Sequence, residues 1–484
     1  MTTRAGHWLT LCPEVRQLIL DVVATDRNCL KYATVSREWQ FHLESRRFSH
    51  LRLDDDKQLE FLDRNLVARQ QQHVVYIWLN IELVPYNCRK KFLAREAQNE
   101  VVKNTRIITA AIARLYSMLS RWGPTKHGLT LELSMQSPSD YLDWFPNWYF
   151  GGRPDVSGGI CMSPGVLKLP QEPDERWKFS GWLKYIDKQV LYRVWDQPWD
   201  LMFAGTLPEV TAVTRFVIRR QSRRRLPPAS LKRMLEALPR LESLVCCMVL
   251  LNADLPRLTR ISVFEDFNGD CMRHTRTAGL FKEAVPGRRL PARCESRGLA
   301  RRFAERSARL QFLEHLSVAF MIEASLFFSS LAEAHCTWPR LRSLSLTSKL
   351  LHRDAGGEEL SSLLTGAAAA VKCMPSLGRM FLWNAGEGEG CSFQYRRSQR
   401  AIVWRGVWDL ELGAEVLRAW DEVVGGCVQV VKEILPGKDV PRTHVEAMGL
   451  LDLPPGIVDD VSLFQMQEEA KSTQILPGPG MFSC

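Results

Sequence analysis

The sequence of 484 residues predicts an α/β protein with a small helical unit at its start and a longer body of short strands and helices. Three observations carry this prediction. Residues 11–24 repeat apolar side chains at helical spacing, residues 73–83 alternate as a strand does, and a leucine motif recurs from Pro239 onward. We divide the chain into a helical unit at 1–50, an aromatic-rich α/β connecting region at 51–200, a repeat-like region at 201–425, and a helix end with a disordered tail at 426–484.

Composition favours a globular intracellular protein, in the cytoplasm or the nucleus. Hydrophobic residues make up 45% and charged residues 24% of the chain, which is ordinary for a folded protein. No apolar run approaches the roughly 18 residues of a membrane span, and the first residues lack the apolar core of a secretory signal. The 13 cysteines are scattered and odd in number, unlike a disulfide framework.

The net charge of +10 raises the alternative of nucleic-acid binding. Six arginines fall between Arg215 and Arg225, and residues 271–309 hold eleven Lys or Arg against three Glu. No recognition-helix motif, zinc finger or aromatic RNA-binding signature accompanies these clusters. A basic face that meets an acidic protein partner is therefore the favoured interpretation.

The first helix is predicted over residues 11–24, LCPEVRQLILDVVA. Pro13 suits the first helical turn, and Glu14 lies favourably at the positive end of the helix dipole. A second helical stretch follows over residues 29–48. Apolar residues mark one face of each: Val15, Leu18, Ile19, Val22 and Val23 in the first, and Leu30, Val35, Trp39, Leu43 and Phe48 in the second. So small a unit has little core of its own, so we expect it to lean on a partner.

The leucine–proline–glutamate start and the VSREW run at residues 35–39 resemble the F-box, specifically that of the F-box proteins common in filamentous fungi. The resemblance implies a three-helix module that docks on a Skp-type adaptor, which in turn attaches to a cullin scaffold of a ubiquitin ligase. In the usual opening proline directly follows leucine, whereas Cys12 intervenes here. The positions that would form the core and the adaptor-facing surface are Leu11, Pro13, Val15, Ile19, Val35 and Trp39.

The connecting region begins with a strand at residues 73–83, whose apolar side chains lie on one side. A helix is predicted at 101–122, because apolar residues recur at helical spacing until Gly123-Pro124 stops it. A second strand is predicted at 128–134. Many aromatic residues follow between Tyr141 and Trp199, and we interpret most of them as core rather than as a ligand pocket.

The leucine motif has the form x-x-Leu-x-x-Leu-x-apolar and begins at Pro239, Pro256, Ala308, Pro339 and Pro375. Helical segments precede several copies, which is the order of an irregular leucine-rich repeat. In such a repeat the leucines point inward and the short strands line a concave sheet. The spacing is irregular, and insertions such as the basic segment 271–309 would account for the longer gaps. Coincidental β-α-β packing is the alternative.

The end of the chain starts with a glycine-rich stretch at Gly386, Gly388 and Gly390. A strand-like AIVWRG follows it instead of a helix N-terminus, so we predict a hairpin loop and not a nucleotide-binding loop. A last amphipathic helix is predicted at about 415–424. Beyond Leu435 the chain becomes rich in Pro, Gly and polar residues, and we expect residues 472–484 to be disordered.

Catalytic motifs are missing from the sequence. It contains no G-x-S-x-G elbow, no H-E-x-x-H, no Walker loop and no C-x-x-C pair, and Cys271 with His274 lacks a second metal-ligand pair. We therefore expect no cofactor, no metal and no enzymatic activity. The expected function is a substrate-recognition adaptor that presents an unknown target protein bound to the repeat-like region. An adaptor-binding scaffold without a role in degradation and a basic nucleic-acid-binding repeat protein are the alternatives.

Overall fold

The computed structural model describes residues 8–26, 28–86, 94–139, 199, 201–218, 224, 226–246, 253–264, 297–334, 336–386, 388–435, 441, 443–460, 462–464 and 466–467. Within these ranges twelve strands form one sheet, and their spatial order is their order along the chain. The strands are β1 (His50–Leu53), β2 (Tyr76–Glu82), β3 (Leu129–Gln136), β4 (Val213–Ile218), β5 (Ser243–Cys246), β6 (Arg260–Phe264), β7 (His315–Ala319), β8 (Ser343–Thr347), β9 (Arg379–Gly386), β10 (Glu389–Arg396), β11 (Ala401–Gly406) and β12 (Gln429–Ile434). All neighbours are parallel except β10, which is antiparallel to both β9 and β11.

The N-terminal unit contains α1 (Pro13–Ala24) and α2 (Arg37–Phe48), with a 3-10 helix, Cys29–Thr34, between them. Pro13 begins α1, as predicted. Ser36 caps α2, because its hydroxyl accepts a hydrogen bond of 3.3 Å from the Trp39 amide. The helical stretch predicted at 29–48 is therefore broken near Ser36 into a 3-10 helix and α2.

Nine further helices are described: α3 (Asp56–Asn65), α4 (Ala68–Gln71), α5 (Ala94–Leu119), α6 (Pro228–Glu236), α7 (Arg297–Ala308), α8 (Ala324–Ala334), α9 (Gly357–Val371), α10 (Ala414–Val424) and α11 (His444–Leu450). The predicted α/β class is confirmed. The helix expected at 101–122 begins earlier, at Ala94. No described helix is long and apolar enough to cross a membrane.

The leucine motifs form β5 to β9, five adjacent parallel strands. The residue two positions before each strand is a buried leucine, and the second and fourth residues of each strand are also buried. These side chains form three ladders across the sheet. The ladders are Leu241, Leu258, Leu313, Leu341 and Leu377; Leu244, Ile261, Leu316, Leu344 and Met380; and Cys246, Val263, Val318, Leu346 and Leu382.

The glycine-rich stretch is a hairpin between β9 and β10, as predicted. Gly388 adopts a φ of 78°, which glycine reaches without a steric penalty, and its amide donates a 2.8 Å hydrogen bond to the Pro441 carbonyl. The strand-like AIVWRG is β11, and the amphipathic helix expected at 415–424 is α10.

Two apolar clusters cover the two faces of the sheet. The larger cluster lies between the sheet and residues of helices α3 and α5 to α10, and we call this side the helical face. The smaller cluster lies on the opposite face, where α11 and the residues after it pack on Phe264, Phe320, Phe381 and Trp383. We call residues 443–466 the C-terminal segment. Of the region 426–484, assigned to a helix end and a tail, residues 429–434 form β12 and residues 444–450 form α11.

Several predictions fall outside the described residues. These include the aromatic residues between Tyr141 and Trp195, most of the basic segment 271–309 with Cys271 and His274, and the tail at 472–484. Trp199 is described and buried, in agreement with its interpretation as core.

Candidate protein-docking surfaces

The covered positions of α1 carry both polar and apolar residues: Arg16 and Asp21, and the apolar Ile19, Leu20, Val23 and Ala24. Arg16 donates a 3.1 Å hydrogen bond to Glu38, and Asp21 lies 3.2 Å from the His42 ring nitrogen. Burial lowers the pKa of His42 although the Asp21 charge opposes this shift. Leu20 is buried, and Ile19 and Val23 are half-buried. Helix α1 therefore meets its own chain through polar contacts and apolar packing together.

The other side of α1 is apolar and uncovered. Val15, Leu18 and Val22 are 39%, 64% and 70% exposed, and Leu11 just before the helix is also exposed. At about 100° per residue these three helix positions lie within a stripe about 60° wide. We call Leu11, Val15, Leu18 and Val22 the N-terminal apolar surface. Exposed apolar side chains grouped in this way are typical of an interface that is completed by another polypeptide.

The predicted site residues fall into two groups. Leu11, Pro13, Val15 and Val35 are exposed, while Ile19 and Trp39 are half-buried. The Trp39 ring packs against Trp8, at 5.2 Å between centroids, and against Tyr32, at 6.4 Å. Trp39 therefore contributes to the internal packing of the N-terminal unit.

Sequence reasoning missed some of the most exposed apolar residues of this unit. Leu18 and Val22 were assigned to an apolar helix face but not to the site, and Leu9 and Phe41 were not singled out at all. Helical spacing could not separate the first two from Ile19 and Val23, which belong to the same predicted apolar face but are half-buried. Leu9 and Phe41 lie outside any apolar periodicity.

A buried carboxylate joins the N-terminal unit to the rest of the chain. Glu44 on α2 is 4% exposed and accepts hydrogen bonds of 2.9 and 2.7 Å from Arg69, and one of 3.2 Å from Gln70 on α4. Burial raises the pKa of Glu44, but these hydrogen bonds outweigh burial and the net shift of the pKa is downward. The bidentate geometry fixes α2 relative to α4.

The opposite face of the sheet is the one that the strands of a leucine-rich repeat would line as a concave surface. Here the C-terminal segment runs back across it. The His444 ring lies 4.6 Å from the Phe320 ring, and the Arg405 guanidinium donates a 2.8 Å hydrogen bond to the Leu450 carbonyl. Phe320 adopts a φ of 62°, which bulky residues rarely do, and its amide is held by a 2.6 Å hydrogen bond to the Thr347 hydroxyl.

The segment continues toward the N-terminal strands. The Ile457 carbonyl accepts hydrogen bonds from the hydroxyls of Ser317, at 2.8 Å, and Ser262, at 3.5 Å. Asp459 then forms an ion pair with Arg215 on β4. The C-terminal segment therefore occupies part of the opposite face of the sheet, from β11 back to β4.

Among the described residues, no group of three or more His, Cys, Asp or Glu side chains is arranged to hold a metal ion. Residues 254–459 match the model of a family described as a family of unknown function, DUF6546. The comparison with curated proteins gave no match. The matched region runs from just before β6 to Asp459, so the part of this chain that is similar to that family includes both the leucine-motif strands β6 to β9 and most of the segment that covers them.

Proposed function

We propose that the chain is a non-catalytic adaptor that docks through its N-terminal unit on a Skp-type adaptor of a cullin ubiquitin ligase. The observation that carries the proposal is the outward-facing stripe of Val15, Leu18 and Val22 on α1. The F-box resemblance of residues 11–39 supplies the identity of the partner.

Energetics support a docking role for this stripe. Burial of a valine or leucine side chain stabilises by about 1.5–3 kcal/mol, so an uncovered stripe leaves several kcal/mol for association. A partner that covers it together with neighbouring residues would form an interface of standard size, about 1,200–2,000 Å². The contacts of Arg16 with Glu38 and of Asp21 with His42, together with the buried Leu20, hold α1 on α2 with the stripe facing outward.

The adaptor acts by holding two proteins in one geometry. The N-terminal unit is fixed to the sheet through Glu44 and Arg69, so a target bound to the sheet is held at a defined distance from the ligase. Such an arrangement raises the effective concentration of target lysines near the ubiquitin-loaded enzyme. The chemistry of transfer belongs to the other subunits.

The test is binding of the full chain to a purified Skp-type adaptor, measured by calorimetry. Leu18→Glu with Val22→Glu places two carboxylates in the stripe, so we expect affinity to fall about 100-fold or more. Both side chains are exposed in the free chain, so its melting temperature should not change. These positions are sharper probes than Trp39, whose truncation would also disturb packing with Trp8.

The matched control is Phe61→Glu with Val102→Glu. These residues are also exposed and apolar, on α3 and α5, and the change in charge is the same. We expect this variant to bind the adaptor as the natural chain does. The proposal would be contradicted if the Leu18/Val22 variant bound the adaptor undiminished, or if the control variant lost as much affinity.

A further inference from the structure

One row of residues crosses the opposite face of the sheet at the start of the strands. The register of β4 to β10 places these residues side by side, one per strand: Arg215, Ser243, Arg260, His315, Ser343, Arg379 and Arg396. We call them the donor row, because every member carries a side-chain hydrogen-bond donor and none is a carboxylate. Strands lie about 4.8 Å apart, so the row is roughly 29 Å long.

The donor row is open to solvent, whereas the next row along the strands is buried. Arg260 and Arg379 are exposed, and the other members are half-exposed. Two residues further along each strand, Ser262, Ser317, Ser345 and Phe381 are covered. The C-terminal segment packs on Ser262 and Ser317 and therefore leaves the donor row exposed beside it.

The net charge of the donor row is positive. Burial and the neighbouring Arg260 lower the pKa of His315, so at neutral pH the charge comes from the four arginines. Glu314, in the turn just before the row, lies 3.7 Å from Arg342. Within the described part of the chain, Arg260 and Arg379 have no hydrogen-bond or ion-pair partner.

An ion pair within the chain shows that an arginine of the donor row can bind a carboxylate. Asp459 of the C-terminal segment forms the ion pair with Arg215, so the first arginine of the row already holds a carboxylate from a polypeptide that crosses the strands. Arg260, Arg379 and Arg396 continue the row in the direction away from Asp459.

The same face offers little to a nucleic acid. Sequence-tolerant binding of single strands needs aromatic rings on which bases can stack. The aromatic side chains of this face between β6 and β9, namely Phe264, Phe320, Phe381 and Trp383, are buried under the C-terminal segment. A row of arginines without accessible rings favours carboxylate side chains of a peptide over bases.

We propose that the donor row binds an acidic, extended segment of a partner protein, laid across the strands beside the C-terminal segment. The proposal rests on the proposed adaptor function, because it names the kind of target that such an adaptor would present. An extended peptide of about ten residues would span the row, at about 3.3 Å per residue.

The experiment uses the full chain and a fluorescein-labelled peptide of ten glutamates, with anisotropy as the readout. Arg260→Gln with Arg379→Gln removes two charges from the row, and we expect the Kd to rise at least tenfold. The matched control is Arg302→Gln with Arg418→Gln. Both are exposed arginines on α7 and α10 of the helical face, each bonded to a carbonyl of its own helix. This control should change the Kd less than twofold.

Two results would overturn the proposal: equal weakening by both double variants, which indicates general attraction to a basic protein, or tighter binding of a ten-nucleotide oligothymidylate than of the peptide. The Leu18→Glu/Val22→Glu variant separates this proposal from the docking proposal. It should lose the Skp-type adaptor and keep the glutamate peptide, so the failure of one proposal is distinguishable from the failure of the other.

Discussion

Single side chains decide how the N-terminal unit is attached to the sheet. Glu44 is the clearest case, because its carboxylate is buried while its partner Arg69 keeps about half of its surface in water. Sequence reasoning could not find this pair. Twenty-five positions separate the two residues, and neither belongs to a sequence motif that predicts a buried charge.

Glu44→Gln should destabilise the chain by about 1–2 kcal/mol at pH 7, because the amide cannot replace two charge-assisted hydrogen bonds. The folded-state pKa of Glu44 lies below its ordinary value, so its contribution is present above about pH 4.5 and is lost as the pH falls through the folded-state pKa. The gap between the two proteins in urea unfolding should therefore shrink between pH 7 and pH 3. Glu60→Gln, at an exposed pair with Arg64, should cost less than about 0.5 kcal/mol at both pH values.

Secondary-structure elements show where periodicity is a sufficient guide. Alternation and helical spacing correctly predicted β2, β3 and α10, and the leucine motif predicted β5 to β9, because each of these elements buries one face against the large core. Periodicity could not say which side of α1 faces the chain. Apolar residues lie on both its covered and its exposed side, so the pattern alone does not show that Val15, Leu18 and Val22 are the exposed ones.

The two sides of α1 can be compared by making the same leucine-to-alanine substitution on each side. Leu20→Ala truncates a buried side chain and should cost about 2–5 kcal/mol in the stability of the N-terminal unit, whereas Leu18→Ala, at a largely exposed position, should cost less than about 0.5 kcal/mol. Amide hydrogen exchange of α1 and α2 measures both. Similar losses at the two positions would mean that the stripe is covered in the free chain.

At the scale of the whole molecule, the second face of the sheet is covered by a segment that the sequence did not reveal. Residues 443–466 contain a short helix followed by Pro454 and Pro455, and they show no strong period. Their partners lie on strands up to 244 positions earlier, as in the pair of Arg215 and Asp459, and no local pattern encodes such contacts. Sequence analysis therefore predicted the sheet but not what covers its second face.

Met448→Asp should detach the C-terminal segment from the sheet, because it places a carboxylate in the apolar cluster with Phe320 and Trp383. We expect binding of the dye ANS to rise several-fold as these rings become accessible. Gly449→Asp is the matched control, because it adds the same side chain one position later, where a Cβ would meet no heavy atom within 4 Å. Equal dye binding by the two variants would contradict this account of the segment.

The return path of the C-terminal segment has a consequence for synthesis on the ribosome. Strands that pair with sequence neighbours can form one after another as the chain emerges. The rings of Phe264, Phe320, Phe381 and Trp383 stay bare during that time, because the residues that cover them are translated after all twelve strands. The nascent protein therefore exposes these apolar rings until late in translation. We expect it to depend most on chaperones at that stage.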